Sequence, residues 1–376
     1  MSDPSETRMR ESLDALAGAL ESLFDEGIAS PLSEDAFSSM ALRVFAHQFE
    51  SCAIYRSFCE SRGAVPGTVE RWGEVPAVPT RGFKHVALLS GPGAEAVFRT
   101  SGTTGGAEAT GLHYVPRLSL YRASLLPNFR AHLLPEGDRM PMLSLVPSPR
   151  AAPESSLSAM IGVVAQELVA EVRWLADDPA GVDIRDFERA AAELTARNSP
   201  ALLVGTAFAF VHLLDELSRT GGSANLPEGT RIMETGGFKG RSRRVSRDEL
   251  YDALHLRLGV PSHRVVNEYG MTELLSQLYE PVLAEGDAAR GRHVLPPWLR
   301  ARALDPTSLD PMPPGETGIL AFFDLANAGS VSHVLTEDLG SVDADGVRLK
   351  GRAPGSEPRG CSLAVEELLN APPRAR

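Results

Sequence analysis

The sequence is poor in cysteine, has fewer basic than acidic residues, and contains no long apolar run. Three cysteines among 376 residues cannot build a disulfide framework, which predicts a reducing compartment. Lys and Arg number 37 and Asp and Glu number 49, so the net charge of −12 argues against a nucleic-acid or anionic-membrane partner. No apolar run approaches the ~20 residues of a membrane span, and the first residues are polar, unlike a signal peptide. We therefore expect a cytoplasmic protein without a membrane span.

Strand and helix patterns alternate through the middle of the chain. Short apolar runs rich in β-branched residues are followed by amphipathic runs, which predicts an α/β fold of layered sheets covered by helices. Beyond about residue 295, prolines break the helical pattern and short strand-like runs follow, with a hairpin signal at Asp345-Gly346. We expect an α/β body over residues 1–295, a smaller β-rich unit over 296–350 and a C-terminal segment over 351–376.

One helical pattern near the N-terminus contains two of the cysteines. Apolar residues at helical spacing predict a single helix over residues 37–61. Cys52 and Cys59 are seven residues apart and fall on its apolar side. Because free cysteines on such a stripe are usually buried and inert, we expect both to be core residues.

A stretch rich in glycine and hydroxyl residues follows a short strand predicted over 96–99. Its residues are Thr100, Ser101, Gly102, Thr103, Thr104 and Gly105. Glycine lets backbone N–H groups approach a ligand, and the hydroxyls add donors, so the stretch predicts phosphate binding. It is not a Walker A loop, because no Gly-Lys-Ser/Thr follows. A flexible polar turn is the alternative interpretation.

Two further polar stretches also follow predicted strands. Gly236 and Gly237 would let a flat ring or a phosphate approach the backbone, although a plain strand-to-helix turn has the same composition. Thr272 and Glu273 offer hydroxyl and carboxylate oxygens, and Mg²⁺ prefers hard oxygen ligands that it shares with substrate phosphates. A helix start is the alternative for that pair.

These stretches together resemble the motifs of the adenylate-forming enzymes, which activate carboxylic acids as acyl-AMP. Residues 100–105 resemble their phosphate loop, and residues 269–273 resemble their Tyr-Gly-x-Thr-Glu motif. The resemblance implies that Tyr269 packs on the adenine, that the Thr272 hydroxyl meets the α-phosphate, and that Glu273 helps to hold Mg²⁺. It also places Gly236, Gly237 and Gly270 at the nucleotide.

Two later segments extend the resemblance. Residues 336–339 resemble the Thr-Gly-Asp-Leu motif with Glu337 in place of the glycine, which implies that Asp338 accepts hydrogen bonds from the ribose hydroxyls. Gly351-Arg352 resembles the Gly-Arg that opens the hinge to the family's C-terminal domain, so Arg352 joins the implied nucleotide site. Glu337 departs from the family's glycine, and a plain turn is the alternative interpretation of residues 336–339.

The C-terminal sequence resembles that of the acyl-protein synthetases, best known as the activating subunit of the bacterial bioluminescence fatty-acid reductase. Because the chain ends at Arg376, we expect the lysine-bearing domain of other adenylate-forming enzymes to be truncated. In the family, a cysteine near the C-terminus takes the acyl group from acyl-AMP as a thioester, and the resemblance assigns that role to Cys361. Locally, the charge of Arg359 and a helix predicted from Ser362 would favour the thiolate, which is the nucleophile.

The resemblance thus implies a ligase that needs ATP and Mg²⁺. It would activate a fatty or aryl acid to acyl-AMP through Thr272 and Glu273, form a thioester on Cys361, and pass the acyl group to a partner such as an acyl reductase. The apolar stretches 147–165 and 203–210 are expected to line the acyl pocket. Two alternatives remain open: a ligase that hands the acyl group directly to coenzyme A, a carrier protein or an amine, and a non-catalytic nucleotide-binding subunit.

Overall fold

The computed structural model describes residues 4–100, 110–179, 181–236, 245–352 and 359–370. By their contacts, these residues fall into two compact units. The first unit is drawn from Met1–Pro127, Met271–Gln277 and Val294–Arg376, and the second from Asn128–Gly270 and Leu278–His293. None of the described helices combines the length and the apolar character that crossing a membrane requires.

The described residues contain ten α-helices and thirteen β-strands. The helices are α1 (Pro4–Asp25), α2 (Glu34–Ser51), α3 (Ala53–Ser61), α4 (Leu118–Leu133), α5 (Ser156–Glu167), α6 (Ile184–Arg197), α7 (Ala207–Thr220), α8 (Arg247–Leu258), α9 (Val282–Glu285) and α10 (Arg359–Asn370). The strands are β1 (Val78–Pro79), β2 (Ala96–Arg99), β3 (Leu112–Val115), β4 (Pro141–Ser144), β5 (Glu171–Trp174), β6 (Leu202–Thr206), β7 (Arg231–Thr235), β8 (Val265–Tyr269), β9 (Leu278–Tyr279), β10 (Leu299–Leu304), β11 (Thr317–Asp324), β12 (His333–Asp343) and β13 (Gly346–Arg352).

The second unit is built around a six-stranded sheet in the order β5-β4-β6-β7-β8-β9. Neighbouring strands are parallel from β5 through β8, and β9 pairs antiparallel at the edge. The strand order reverses between β4 and β6, and open α/β sheets bind ligands beyond the carboxyl ends of their strands at such a point. The predicted α/β class with layered sheets and helices is confirmed.

The core of this unit joins the sheet to α6, α7 and α8. Phe187, Phe210 and Leu254 from the three helices pack in one buried cluster with Leu203 of β6 and Ile232 of β7. Burying apolar surface at about 25 cal/mol per Å² is the main force that holds such layers together. The sheet therefore presents its strand ends on a well-packed base.

Local signals set the bounds of these helices. The side chains of Asp183, Thr206 and Ser246 each accept a hydrogen bond from a backbone N–H in the first turn of α6, α7 and α8. Helices α7 and α8 end at Gly221 and Gly259, whose φ angles of 71° and 73° lie in the left-handed region that glycine adopts without strain. Because these caps involve residues that are near one another in the chain, they are local features of the sequence.

The first unit contains an antiparallel sheet in the order β10-β11-β12-β13, with β1 parallel to β12, and the separate hairpin β2–β3. The hairpin predicted at Asp345-Gly346 is present, since Asp343 pairs with Gly346 across the turn. The Asp343 carboxylate also accepts the backbone N–H groups of Asp345 and Gly346 at 2.9 and 3.2 Å, which closes the turn.

The single helix predicted over residues 37–61 is wrong, because the chain breaks at Cys52 into α2 and α3. The Arg56 side chain donates to the carbonyl oxygens of Phe49 and Glu50, and so satisfies two groups that the last turn of α2 leaves open. Cys52 and Cys59 are buried as predicted. Burial raises the pKa of both thiols, that of Cys59 to about 12, so neither is a reactive thiolate.

Candidate active site

Thr100, the first residue of the predicted phosphate loop, pairs with Gly111, the residue just before β3, in the first unit. The Thr100 N–H, just after β2, donates to the Gly111 carbonyl at 2.9 Å, and the Gly111 N–H donates to Thr100 Oγ1 at 2.8 Å. A Cβ atom at Gly111 would stand 3.0 Å from Thr100 Oγ1 and 3.1 Å from the Phe83 carbonyl carbon, so the close approach favours glycine. The other residues of the predicted loop lie outside the described residues: Ser101, Gly102, Thr103, Thr104 and Gly105.

The Thr272-Glu273 motif lies beside this hairpin in the same unit. Thr272 Oγ1 is 3.5 Å from the carbonyl oxygen of Arg99, the residue just before the loop. The Thr272 carbonyl oxygen lies 2.6 Å from Nδ1 of His113, which is on the returning strand β3. The fold therefore brings together two motifs that are about 170 residues apart in the chain and that were predicted separately to contact phosphate.

Side chains from the end of β11 fasten the backbone around this motif. Asn327 donates through Nδ2 to the Glu273 carbonyl at 2.9 Å. The Asp324 carboxylate accepts the N–H groups of Leu275 and Ser276, each at 2.8 Å, and the Ser276 hydroxyl at 2.7 Å. Asp324 and Asn327 are fully buried, and buried backbone groups need such partners. Sequence reasoning missed both residues, although their polar character within the apolar run around them was a signal.

His113 completes this anchoring from the strand side. Its Nε2 lies 2.8 Å from Oδ1 of Asn327, so both ring nitrogens face oxygen acceptors. Burial lowers the pKa of His113 to about 4, an effect that the two acceptors oppose in part. The two contacts place the ring between the Thr272 carbonyl and the Asn327 side chain. His113 thus ties the motif to the segment that follows β11.

Asp338 and Arg352 are brought together on paired strands. They face each other in the register of β12 and β13, and Arg352 Nε lies 3.3 Å from Asp338 Oδ1. Glu337, the residue that departs from the family's glycine, pairs with Arg81 at 2.6 Å. Residues 336–339 lie within strand β12 and do not form the plain turn, and the Asp338 N–H donates to Thr336 Oγ1 at 3.1 Å within the strand.

The other predicted nucleotide residues lie at strand ends in the second unit. Gly236 follows β7 and Tyr269 ends β8, and these parallel strands are neighbours in the sheet. Gly236 has a φ of 77°, and within the described part of the chain no atom lies within 4 Å of the place where a Cβ would stand. The Tyr269 ring meets His293 edge-on, with 6.3 Å between ring centroids. Gly237 lies outside the described residues.

Two buried glutamates just before these strand ends were not predicted. Glu234 on β7 accepts hydrogen bonds from Asn267 Nδ2 at 2.6 Å and from the Tyr251 hydroxyl at 3.2 Å. Glu268 on β8 accepts the hydroxyl of Thr235. Burial raises the pKa of each carboxyl to about 7, and the charge of Glu234 adds to the effect on Glu268. A carboxyl within an otherwise apolar strand was the signal in the sequence.

This pair predicts a pH-dependent stability. Both carboxyls have folded pKa values near 7, above their ordinary 4.5, so their stabilising contribution is complete below pH 4.5 and is lost as pH rises through 7. The free energy of unfolding of Glu234→Gln and of Glu268→Gln should therefore fall less than that of wild type from pH 5 to about 8, as measured by urea midpoints. Glu188→Gln, which changes an exposed carboxylate on α6, is the control and should track wild type. Parallel curves for all the variants would contradict the assignment.

The described residues also bear on Mg²⁺. Among them, no group of three or more His, Cys, Asp or Glu side chains is arranged to hold a metal ion. Glu273 with the neighbouring Thr272 hydroxyl provides a small set of hard oxygen donors, which fits an ion that takes most of its ligands from phosphates and water.

Helix α10 contains Cys361. The helix begins at Arg359, three residues earlier than predicted, so Cys361 is its third residue and lies within the first turn. Ala364 and Leu368, one turn apart, are buried against the first unit. The thiol of Cys361 lies outside the described part of the structure.

Comparison with protein families and curated proteins gives a consistent result. The family model "Acyl-protein synthetase, LuxE" matches residues 29–370. The long-chain-fatty-acid–luciferin-component ligase of Vibrio harveyi is 26% identical over 353 residues, which cover 89% of this chain and 88% of that protein. The enzyme of the same name from Aliivibrio fischeri is 27% identical over 305 residues, covering 77% of this chain and 74% of that protein.

Solved structures share the fold. A 2-hydroxyisobutyryl-CoA ligase in complex with 2-HIB-AMP and CoA superposes with a TM-score of 0.61 at 17% identity, over 85% of this chain and 68% of that chain. Other matches are to longer proteins: the chain spans 50% of the length of ATP-bound MatB from Rhodopseudomonas palustris, with a TM-score of 0.48. At such identities, the likeness to the first structure concerns the fold alone.

Proposed function

We propose that this chain, which belongs to the LuxE acyl-protein synthetase family, uses ATP to convert a carboxylic acid into acyl-AMP and then holds the acyl group as a thioester on Cys361. The observation that carries the proposal is the position of Thr272, which Arg99 and His113 contact from the two strands that flank the phosphate loop. The backbone carbonyl of the next residue, Glu273, is held by Asn327. A hydroxyl held at this point and followed by a carboxylate suits a phosphate-transfer site.

In the first step, a carboxylate oxygen of the acid attacks the α-phosphorus of ATP. A new O–P bond forms, the bond from the α-phosphorus to the bridging oxygen breaks, and pyrophosphate leaves with the electron pair. Thr272 donates to the α-phosphate oxygens, and Glu273 with the phosphates would hold Mg²⁺. When bound, Mg²⁺ supplies positive charge that stabilises the departing pyrophosphate. Because His113, Asn327 and Asp324 fix the backbone of this segment, its donors need little reorganisation during the reaction.

The remaining residues hold the nucleotide. Asp338 accepts hydrogen bonds from the ribose hydroxyls, and its contact with Arg352 orients the carboxylate. The ring of Tyr269 and the backbone at Gly236 receive the flat adenine. Thr100 anchors the start of the phosphate loop through its bond with Gly111.

In the second step, the Cys361 thiolate attacks the carbonyl carbon of acyl-AMP. A C–S bond forms, the C–O bond to the phosphate breaks, AMP leaves with the electron pair, and the thiol proton goes to water. The position of Cys361 in the first turn of α10 favours the thiolate through the helix dipole. The thioester then passes to a partner protein such as an acyl reductase.

An apolar acid suits the second unit. Phe208 is the second residue of α7, which directly follows the carboxyl end of β6. Although this side chain is large and apolar, 48% of the residue's surface is exposed. The stretch 203–210 that contains it is one of the two proposed to line the acyl pocket. The names of the two bacterial relatives specify long-chain fatty acids, which supports a fatty acid over an aryl acid as the substrate.

The test is acid-dependent chemistry on the wild-type protein. It is incubated with ATP, Mg²⁺ and fatty acids of increasing length, and pyrophosphate exchange and intact mass are both measured. We expect exchange that needs the acid, and a single acyl adduct that hydroxylamine removes. Exchange without an adduct would overturn the thioester step and favour an external acceptor such as coenzyme A. Nucleotide binding without any exchange would overturn the adenylation step as well.

A further inference from the structure

Helix α10 packs on the first unit through one face. Ala364 is fully buried and Leu368 is 1% exposed, whereas Leu369, the next residue, is 46% exposed. Because residues four apart lie on the same side of a helix, the buried pair defines the docked face and Leu369 lies on the open side. The helix is therefore held on the first unit at Ala364 and Leu368.

Gly82 lies directly beneath this face. A Cβ atom at Gly82 would stand 2.6 Å from Cδ2 of Leu368, a distance that real Cβ atoms do not reach. The absence of a side chain at Gly82 thus creates the space that Leu368 fills. Beside this contact, Arg62, which directly follows α3, forms an ion pair with Glu367 at 2.6 Å, and its guanidinium also lies over the Phe58 ring at 4.8 Å.

The short 3-10 turn Thr80–Lys84 that contains Gly82 also contacts two neighbours of residues proposed for ATP. Arg81 pairs with Glu337, the neighbour of Asp338 in the ribose motif. The Phe83 ring meets the His113 ring edge-on, with 5.6 Å between centroids, and His113 in turn contacts the Thr272 carbonyl. One five-residue turn thus contacts the cysteine-bearing helix and two residues that adjoin the proposed nucleotide site.

We infer that the contact between Leu368 and Gly82 positions α10, and with it Cys361, for acyl transfer from acyl-AMP. This inference rests on the proposed thioester function and goes beyond it by assigning two positioning residues. Attack on the acyl carbonyl requires the thiolate to be held in a narrow range of geometry, and a displacement of about 1 Å can cost about 100-fold in rate. A helix that is fixed to the turn beside the proposed ATP site meets that requirement. The ion pair between Arg62 and Glu367 fixes the rotation of α10 about its own axis.

The experiment compares Leu368→Ala with the matched control Leu369→Ala. Leu368→Ala removes the side chain that fills the space at Gly82 and should lower the rate of self-acylation by about tenfold or more. Its acid-dependent pyrophosphate exchange should stay within about twofold of wild type, because Leu368 does not touch the nucleotide residues. Leu369→Ala should match wild type in both assays. The split between exchange and acylation separates positioning from a general loss of folding.

A charge exchange provides the second variant. Arg62→Glu places two carboxylates together and should slow self-acylation, and adding Glu367→Arg should restore it, as a positioning contact requires. Equal acylation rates for Leu368→Ala, Leu369→Ala and wild type would overturn the inference. Faster acylation by Leu368→Ala would also overturn it, since the docked helix would then withhold Cys361. If wild type itself forms no adduct, the thioester function fails, which is recognised before any variant is made.

Discussion

Replacing Cys361 by serine is expected to abolish the acyl adduct while pyrophosphate exchange continues. The serine hydroxyl has no thiolate-like form at neutral pH, so it cannot displace AMP without a strong base. The adenylation residues proposed here, Thr272 and Glu273, are unchanged in this variant. Intact mass before and after hydroxylamine, with pyrophosphate exchange measured on the same sample, checks the result.

The two other cysteines supply the control for this prediction. Cys59 is fully buried and its pKa is raised to about 12, and Cys52 is buried as well. Cys52→Ala and Cys59→Ala should therefore carry the same adduct as wild type. An adduct that persists on Cys361→Ser but disappears from either of these variants would move the acyl site to the N-terminal helices and contradict the assignment of Cys361.

Replacing Glu273 by glutamine should lower acid-dependent pyrophosphate exchange by roughly 100-fold, the size of effect typical when the support of a metal is removed. Glutamine keeps the shape of the side chain and loses its charge. Because His113 and Asn327 hold the backbone of Thr272 and Glu273, the substitution should leave the local fold in place. The loss should be relieved in part by raising the Mg²⁺ concentration, since the variant binds the ion more weakly.

Glu316→Gln is the matched control, because it makes the same change at an exposed carboxylate before β11. It should exchange pyrophosphate as wild type does, with the same dependence on Mg²⁺. If Glu273→Gln behaves like this control, Glu273 has no part in holding the metal, and the ligand must be sought elsewhere. Urea unfolding of both variants distinguishes lost chemistry from lost stability.

The sequence was sufficient for the features that depend on local pattern. Alternating apolar and amphipathic runs predicted the α/β class, which the fold confirms. The motifs at residues 100–105 and 269–273 predicted an adenylate-forming enzyme, and the C-terminal sequence predicted the acyl-protein synthetase family. The family model and the ligases among the relatives confirm that membership and the ligase class. The proposed roles of the site residues stay predictions, as does the division of the chain at residues 295 and 350.

Local pattern was not enough for two strands and one helix break. Strands β5 and β10 were not predicted, although Glu171–Trp174 and Leu299–Leu304 largely alternate polar and apolar residues, a pattern typical of half-exposed strands. The break at Cys52 was missed since no glycine or proline marks it, and the Arg56 side chain that satisfies the end of α2 acts from the next helix.

The tertiary structure alone decided how the site is held. Asp324 and Asn327 bond to backbone groups of residues 273–276 that are about 50 residues earlier in the chain, and no local periodicity encodes such a contact. The raised pKa values of Glu234 and Glu268 follow from burial, which depends on how the sheet is covered. The sequence determined which chemical groups are present, and long-range packing determined which of them meet.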